Sequence, residues 1–197
     1  EAMFSCAERG FSGIALPYVY LSMLKEYAIN DIAISACIDY PGGFAPQQIR
    51  NHSAVKALKG GANTIDLMCN SISIVNENYD YLERDIESHM NICFEYDATL
   101  RAMVEYRAFD NSKKFMEICK VFKKTGLEYI FLSTGKMVDD FLDHAIYAVQ
   151  ATEEFGLKVI FNAPVMSEEQ YKKVEDWGIF GVRFSNIKNV ERIFGVL

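Results

Sequence analysis

The stretch KKFMEICKVFKKTGLEYIFLSTGK, Lys113 to Lys136, decides how the chain is read. Its first half puts Phe115, Ile118, Cys119 and Phe122 at three- and four-residue spacing, the apolar face of an amphipathic helix, and Gly126 stops it. From Glu128 to Ser133 the chain is almost continuously apolar, the pattern of a parallel strand covered on both faces rather than one. That run opens without a linker into the polar turn Ser133-Thr134-Gly135-Lys136. Helix, glycine stop, buried strand and polar turn make one βα repeat.

The same unit recurs in both directions. Strand runs are expected at Phe11–Leu16, Asp31–Asp39, Asn63–Cys69, Thr99–Tyr106, Glu128–Ser133, Leu157–Asn162 and Phe180–Ser185. Between them, APQQIRNHSAVKALKGGA sets Ile49, Ala54, Val55 and Leu58 on one face and ends at Gly60-Gly61, and VDDFLDHAIYAVQATEEFGL ends at Gly156. Strands alternating with helices suit either a doubly wound sheet or a (β/α)8 barrel. No Gly-x-Gly-x-x-Gly follows any strand, and Gly42-Gly43 and Gly60-Gly61 have the wrong spacing for a dinucleotide turn, which favours the barrel. The chain opens on a helical pattern, EAMFSCAERG, with no strand before it, so the barrel is expected to lack its first strand in this chain.

With 197 residues, half of them apolar, a single domain over 1–197 is expected. A net charge of -7 and only short basic runs exclude a polyanion-binding face, and so nucleic acid as a partner. Apolar runs fall well short of the roughly 20 residues of a membrane span and no leader pattern opens the chain, so a cytoplasmic protein away from membranes is expected. Cys6, Cys37, Cys69, Cys93 and Cys119 are odd in number and mostly embedded in apolar segments, which reads as buried thiols rather than disulfides or metal ligands.

In a barrel the chemistry stands where strands end. The short list is Asp39 and Tyr40; Asp66, Cys69 and Asn70; Glu105, Tyr106 and Arg107; Ser133 to Lys136; Asn162; and Arg183, Ser185 and Asn186. A charge inside an apolar strand must be paired or face a polar cavity, and Asp66 within TIDLM is the clearest case. It reads as a site carboxylate or as half of an ion pair with Arg107 or Arg183, and Glu105 likewise. His52, His89 and His144 all fall in helical patterns far apart, so no transition-metal centre is expected, and no cofactor motif appears. In the turn, small residues let backbone N–H groups approach an anion while Lys136 supplies charge; Thr134, Gly135 and Lys136 read as a grip for a small phosphorylated metabolite.

Five segments in order resemble the deoxyribose-phosphate aldolase (DeoC) family of class I aldolases, and the resemblance covers nearly the whole chain. AERGFSGIALPYVYLSML is similar to the family's second strand and Pro-Tyr loop, SACIDYPGG to its third strand and turn, and KALKGGANTIDLM to its Gly-Ala-Asp-Glu-Ile-Asp segment. MVEY is similar to the Ile-Ile-Glu-Thr strand, and KKTGLEYIFLSTGK to the segment ending Lys-Thr-Ser-Thr-Gly. The resemblance implies a TIM barrel and a lyase of carbohydrate metabolism that cleaves 2-deoxyribose 5-phosphate to glyceraldehyde 3-phosphate and acetaldehyde. It implies catalytic roles for Asp66 and Glu105 and a phosphate site at Thr134, Gly135 and Lys136. It also shows two departures: Phe131 occupies the position of the Schiff-base lysine, and Asn162 that of the strand-seven lysine that tunes it. Phenylalanine has no amine, so the expectation divides between a lyase of altered mechanism and a non-catalytic barrel, a pseudoenzyme, that binds a phosphometabolite or serves assembly. A homodimer is the expected assembly.

Overall fold

The computed structural model describes residues 10–24, 32–106, 112–136, 142–163, 167–185 and 187–195. All seven expected strands form: β1 (Gly13–Leu16), β2 (Ala33–Ile38), β3 (Thr64–Met68), β4 (Thr99–Met103), β5 (Tyr129–Phe131), β6 (Lys158–Ala163) and β7 (Gly181–Phe184). They pair in chain order, every neighbour parallel. A short 3-10 helix, Tyr18–Leu24, follows β1. The α-helices are α1 (Gln47–Lys59), α2 (Ser71–Val75), α3 (Tyr79–Glu95), α4 (Ser112–Thr125), α5 (Leu142–Glu154), α6 (Glu168–Glu175) and α7 (Ile187–Phe194).

This sheet is curled. Laid flat, β3 and β7 would stand four strand spacings apart, about 19 Å at about 4.8 Å each, beyond the reach of an arginine. Yet Arg183 on β7 donates to Asp66 on β3 and lies 3.4 Å from Ser35 on β2. At one end, the Tyr40 hydroxyl beyond β2 reaches the Thr134 carbonyl beyond β5 at 2.8 Å. Seven parallel strands curled with alternating helices are the α/β TIM-barrel architecture with one strand fewer than eight; among the described residues no ladder joins β7 to β1.

Strand alternation splits the apolar residues into two cores. Ile34, Ala36, Ile38, Ile65, Leu67, Leu100, Ala102, Ile130 and Leu132 point outward, where Ala54, Leu58, Ile86, Phe115, Ile118 and Phe122 of the helices cover them. Met68, Met103, Phe131 and Ile160 form a second cluster that is one register row across four strands, the inside of the curl. Both faces of β3 are therefore buried, which is why TIDLM reads as continuously apolar around its one acid. Removing one such side chain from water contributes about 1.5–3 kcal/mol.

Helix punctuation follows the sequence in most places. Ser167 and Gln170 close a reciprocal capping box at the start of α6, Asn78 accepts from Tyr81 at the start of α3, and Gly126 ends α4 at φ 78°, a left-handed value that glycine adopts freely. The expected apolar face of α1 is corrected. Ile49 is exposed, and the buried face is Arg50, Ala54, Ala57 and Leu58. The helix turns Arg50 inward because that guanidinium has strong acceptors waiting: it donates to the Asp85 carboxylate of α3 and to the Met68 carbonyl at the end of β3. After β2, Gly43 sits so near β3 that a Cβ there would lie 2.1 Å from the Cys69 carbonyl oxygen, so the Pro-Gly-Gly turn can tuck in only with glycine. Among the described residues no helix is long and apolar enough to cross a membrane. Cys37, Cys69, Cys93 and Cys119 are free thiols; Cys6 lies outside the described residues.

Candidate functional site

Inward-facing positions of the strands assemble the charged interior. Asp66 is level with Cys37 of β2 and Arg101 of β4 in the ladder. Its carboxylate, with no exposed side-chain surface, accepts from Arg101 Nε at 2.6 Å through Oδ1 and from Arg183 Nη2 through Oδ2. Burial on its own pushes the carboxyl up, but the Arg183 and Arg101 guanidiniums outweigh it and hold Asp66 below the usual carboxylate range. Both guanidinium carbons lie over the Phe131 ring, Arg101 at 5.2 Å and Arg183 at 4.7 Å from its centroid, distances at which the ring quadrupole attracts a cation. Phe131 is 1% exposed. Cys37 lies 3.8 Å from Arg183, yet burial still keeps its thiol above its ordinary value, so it is not a thiolate nucleophile.

Glu105 follows β4 and is buried beneath the turn. Its Oε2 accepts from the Thr134 N–H at 3.0 Å, the Thr134 hydroxyl at 2.9 Å and the Ser133 hydroxyl at 3.3 Å. The turn closes on itself as well: the Gly135 N–H donates to Ser133 Oγ at 3.0 Å and the Lys136 N–H to Thr134 Oγ1 at 3.2 Å. All three backbone donors of the expected phosphate grip thus already have acceptors, one of them a carboxylate. Lys136 is exposed at the rim. Asn162 is buried and donates from Nδ2 to the Ser133 carbonyl at 3.0 Å, and the Gly135 backbone rests on it.

The structure therefore brings Asp66, Phe131, Arg183 and Arg101 into one cluster, and Glu105, Ser133, Thr134, Gly135 and Asn162 into a second. Asn162 and Arg183 are ladder partners, which joins the two. Tyr40 bridges above them. Asp39, which has positive φ at 57°, accepts from the Ala45 N–H and lies 3.4 Å from Arg50, while Asn70 caps α2. Arg107 and Asn186 lie outside the described residues. Among the described residues Lys158 is the only lysine on a strand; it opens β6 and pairs with Glu128 at 2.8 Å, at the opposite end from the turn.

Two sets of residues escaped the sequence reading. Arg101, mid-strand in TLRAM, carries the same signal that singled out Asp66, a charge among apolar neighbours. Arg50, Asp85 and His89 gave less: a basic residue, an acid and a histidine on helices ordinarily face water. Here all three are buried, with His89 Nδ1 2.8 Å from the Asp85 carbonyl, and burial lowers the His89 pKa below its ordinary value.

No family model matches the chain. A deoxyribose-phosphate aldolase of Thermococcus gammatolerans is 27% identical over 129 residues, 64% of this chain and 57% of that protein. The enzyme of the same name from Thermococcus kodakarensis is 24% identical over 131 residues, 65% of this chain and 58% of that protein. The matched segments thus span less than three fifths of these curated relatives' own length. A solved structure described as a tetrameric deoxyribose phosphate aldolase from Aeropyrum pernix superposes with a TM-score of 0.85 at 17% identity, covering 99% of this chain and 82% of that one. That likeness speaks for the fold. Curled parallel sheet, outer helices and strand-end polar groups define an α/β barrel of the aldolase type. Sequence relatives narrow the likeness further: the chain is an aldolase-like TIM-barrel protein similar to deoxyribose-phosphate aldolases.

Proposed function

We propose that this chain is a deoxyribose-phosphate aldolase-like barrel that binds a small phosphorylated metabolite without forming a Schiff base. The observation that carries the proposal is Phe131. It stands at the position that the family resemblance gives to the nucleophilic lysine, it is buried, and two guanidiniums that share one carboxylate hold its ring. An imine needs an amine beside the substrate carbonyl, and a phenylalanine at that position supplies none.

The two carboxylates expected to act as acid and base take other roles in this proposal. Asp66 is a weak base because both its oxygens accept from guanidiniums, and it serves as the counter-ion of the interior. Glu105 holds the turn and so fixes where Lys136 emerges; the phosphate contact then rests on the Lys136 charge rather than on the turn's N–H groups. A reducing cytoplasmic setting is part of the proposal, supported by the four free thiols. Incubation with acetaldehyde or 2-deoxyribose 5-phosphate, reduction with borohydride and intact mass measurement tests the first half. No adduct is expected, and a stoichiometric adduct would refute it. A thermal-shift series with sugar phosphates tests the second: stabilisation that Lys136→Ala removes supports binding, and no response to any of them ends it.

A further inference from the structure

We infer that the ligand's other end is a carboxylate, received inside the barrel by Arg101 and Arg183, so that the barrel selects phosphorylated acids over phosphorylated aldehydes or alcohols. The inference rests on the phosphometabolite reading above and names the chemical class. Among the described residues the Phe131 ring is flanked by two guanidiniums that share the Asp66 carboxylate, while Glu105 turns its Oε2 to Ser133 and Thr134. Two guanidiniums therefore share one carboxylate, which takes a single nitrogen from each. The donors are also unspent. Asp66 takes only Nε of Arg101 and Nη2 of Arg183, and among the described residues no acceptor is bonded to Nη1 and Nη2 of Arg101 or to Nε and Nη1 of Arg183. Neither side chain is sealed in, with 17% and 18% of their surfaces exposed.

Arginine's planar fork matches a carboxylate two bonds at a time, whereas a guanidinium cannot attack a carbonyl as a lysine amine does. The position also fits a two-ended ligand. Arg183 is the ladder partner of Asn162, whose side chain reaches Ser133 in the turn that ends at Lys136. Asn162 thus links the turn that ends at Lys136 to the strand position of Arg183.

Two commercial probes differ only at one carbon: 3-phosphoglycerate ends in a carboxylate and glycerol 3-phosphate in an alcohol. Calorimetric titration of the whole chain should show 3-phosphoglycerate binding more tightly by about tenfold or more, the range of a charge-assisted bidentate contact. Arg183→Lys and Arg101→Lys keep a charge beside Asp66 but remove the fork; each should erase the preference for 3-phosphoglycerate over glycerol 3-phosphate. Lys136→Ala should weaken both probes by the same factor. Equal affinity of the wild-type chain for the two probes overturns the carboxylate pocket and leaves the phosphate proposal standing; binding of neither overturns both. Should the arginine variants fail to fold, the wild-type chain still decides: the side-chain Nε–H resonances of Arg101 and Arg183 must shift on saturation with 3-phosphoglycerate and stay put with glycerol 3-phosphate, and unmoved resonances refute the pocket.

Discussion

Replacing Asp66 with asparagine should be among the most damaging single changes in the chain. The side chain keeps its size, so the loss is electrostatic. Two guanidiniums stay in the barrel interior without their shared counter-charge, and because they sit 5.2 and 4.7 Å from one ring centroid they are no more than about 10 Å apart. At an effective dielectric of about 20, that repulsion alone is roughly 1.7 kcal/mol. Two charge-assisted hydrogen bonds weaken as well, and breaking a buried ion cluster by removing one partner typically costs about 3–5 kcal/mol. Against a total stability of about 5–15 kcal/mol, that is a large fraction.

Urea unfolding at pH 7 measures it, and a loss under about 1 kcal/mol would refute the reasoning, because the arginines would then be satisfied by water. A control separates charge from packing: Asp66→Leu combined with Arg101→Met and Arg183→Met should recover most of the loss, as apolar replacements of whole buried ion clusters often do. The pH dependence has a fixed sign. Asp66 is held below its usual pKa when folded, so its contribution is complete above the unfolded value of about 3.9 and disappears as pH falls through the folded one. The wild-type and Asp66→Asn stability curves should therefore converge in acid.

Phe131→Lys places an amine between two guanidiniums, whose like charge lowers its pKa; borohydride should then trap acetaldehyde on the variant where the wild type stays unlabelled, and a folded variant without adduct would mean that Phe131 is not at the nucleophile position. Glu105→Ala strands the Ser133 hydroxyl and two Thr134 donors and should cost roughly 3 kcal/mol by urea unfolding; a change below about 1 kcal/mol would show that the turn holds itself. His89, with its pKa lowered by burial, is neutral when folded, so it favours folding above the unfolded value of about 6.5 and that advantage shrinks below it; stability measured from pH 7.5 to 5 should fall, and His89→Met should flatten the slope. Burial pushes the Cys69, Cys93 and Cys119 thiols up to about 12, so alkylation of the native chain at pH 8 should spare them until denaturant is added, which peptide mapping would report.

What could be read in the sequence, and what could not, follows from where each kind of information is stored. The seven strands and most helix stops were legible because periodicity and glycine act locally: Phe115, Ile118, Cys119 and Phe122 all point inward as their spacing says, and Gly126 ends α4. The face of α1 was not legible because Arg50 is turned in by Asp85, 35 residues away, and by a carbonyl that only the finished β3 presents. Asp66 was recognised as a charge needing a partner, and Arg183 was one of the two partners weighed. The other partner in the folded chain, Arg101, stood out locally as a charge inside an apolar strand, but its pairing with Asp66 was not legible because adjacent parallel strands set their register through the whole sheet.

The turn shows the same limit more sharply. Ser-Thr-Gly-Lys is a donor-rich loop by composition, and composition cannot say which acceptor arrives first. In the folded chain it is Glu105, delivered from the end of β4, so the motif that suggested a phosphate cradle is occupied by the protein's own carboxylate. If that occupancy fixes Lys136 at the rim, loosening it should change affinity through geometry and not through charge. Glu105→Gln, which keeps the acceptor oxygen, should therefore retain sugar-phosphate binding that Glu105→Ala loses, and identical binding by the two variants would remove Glu105 from the account.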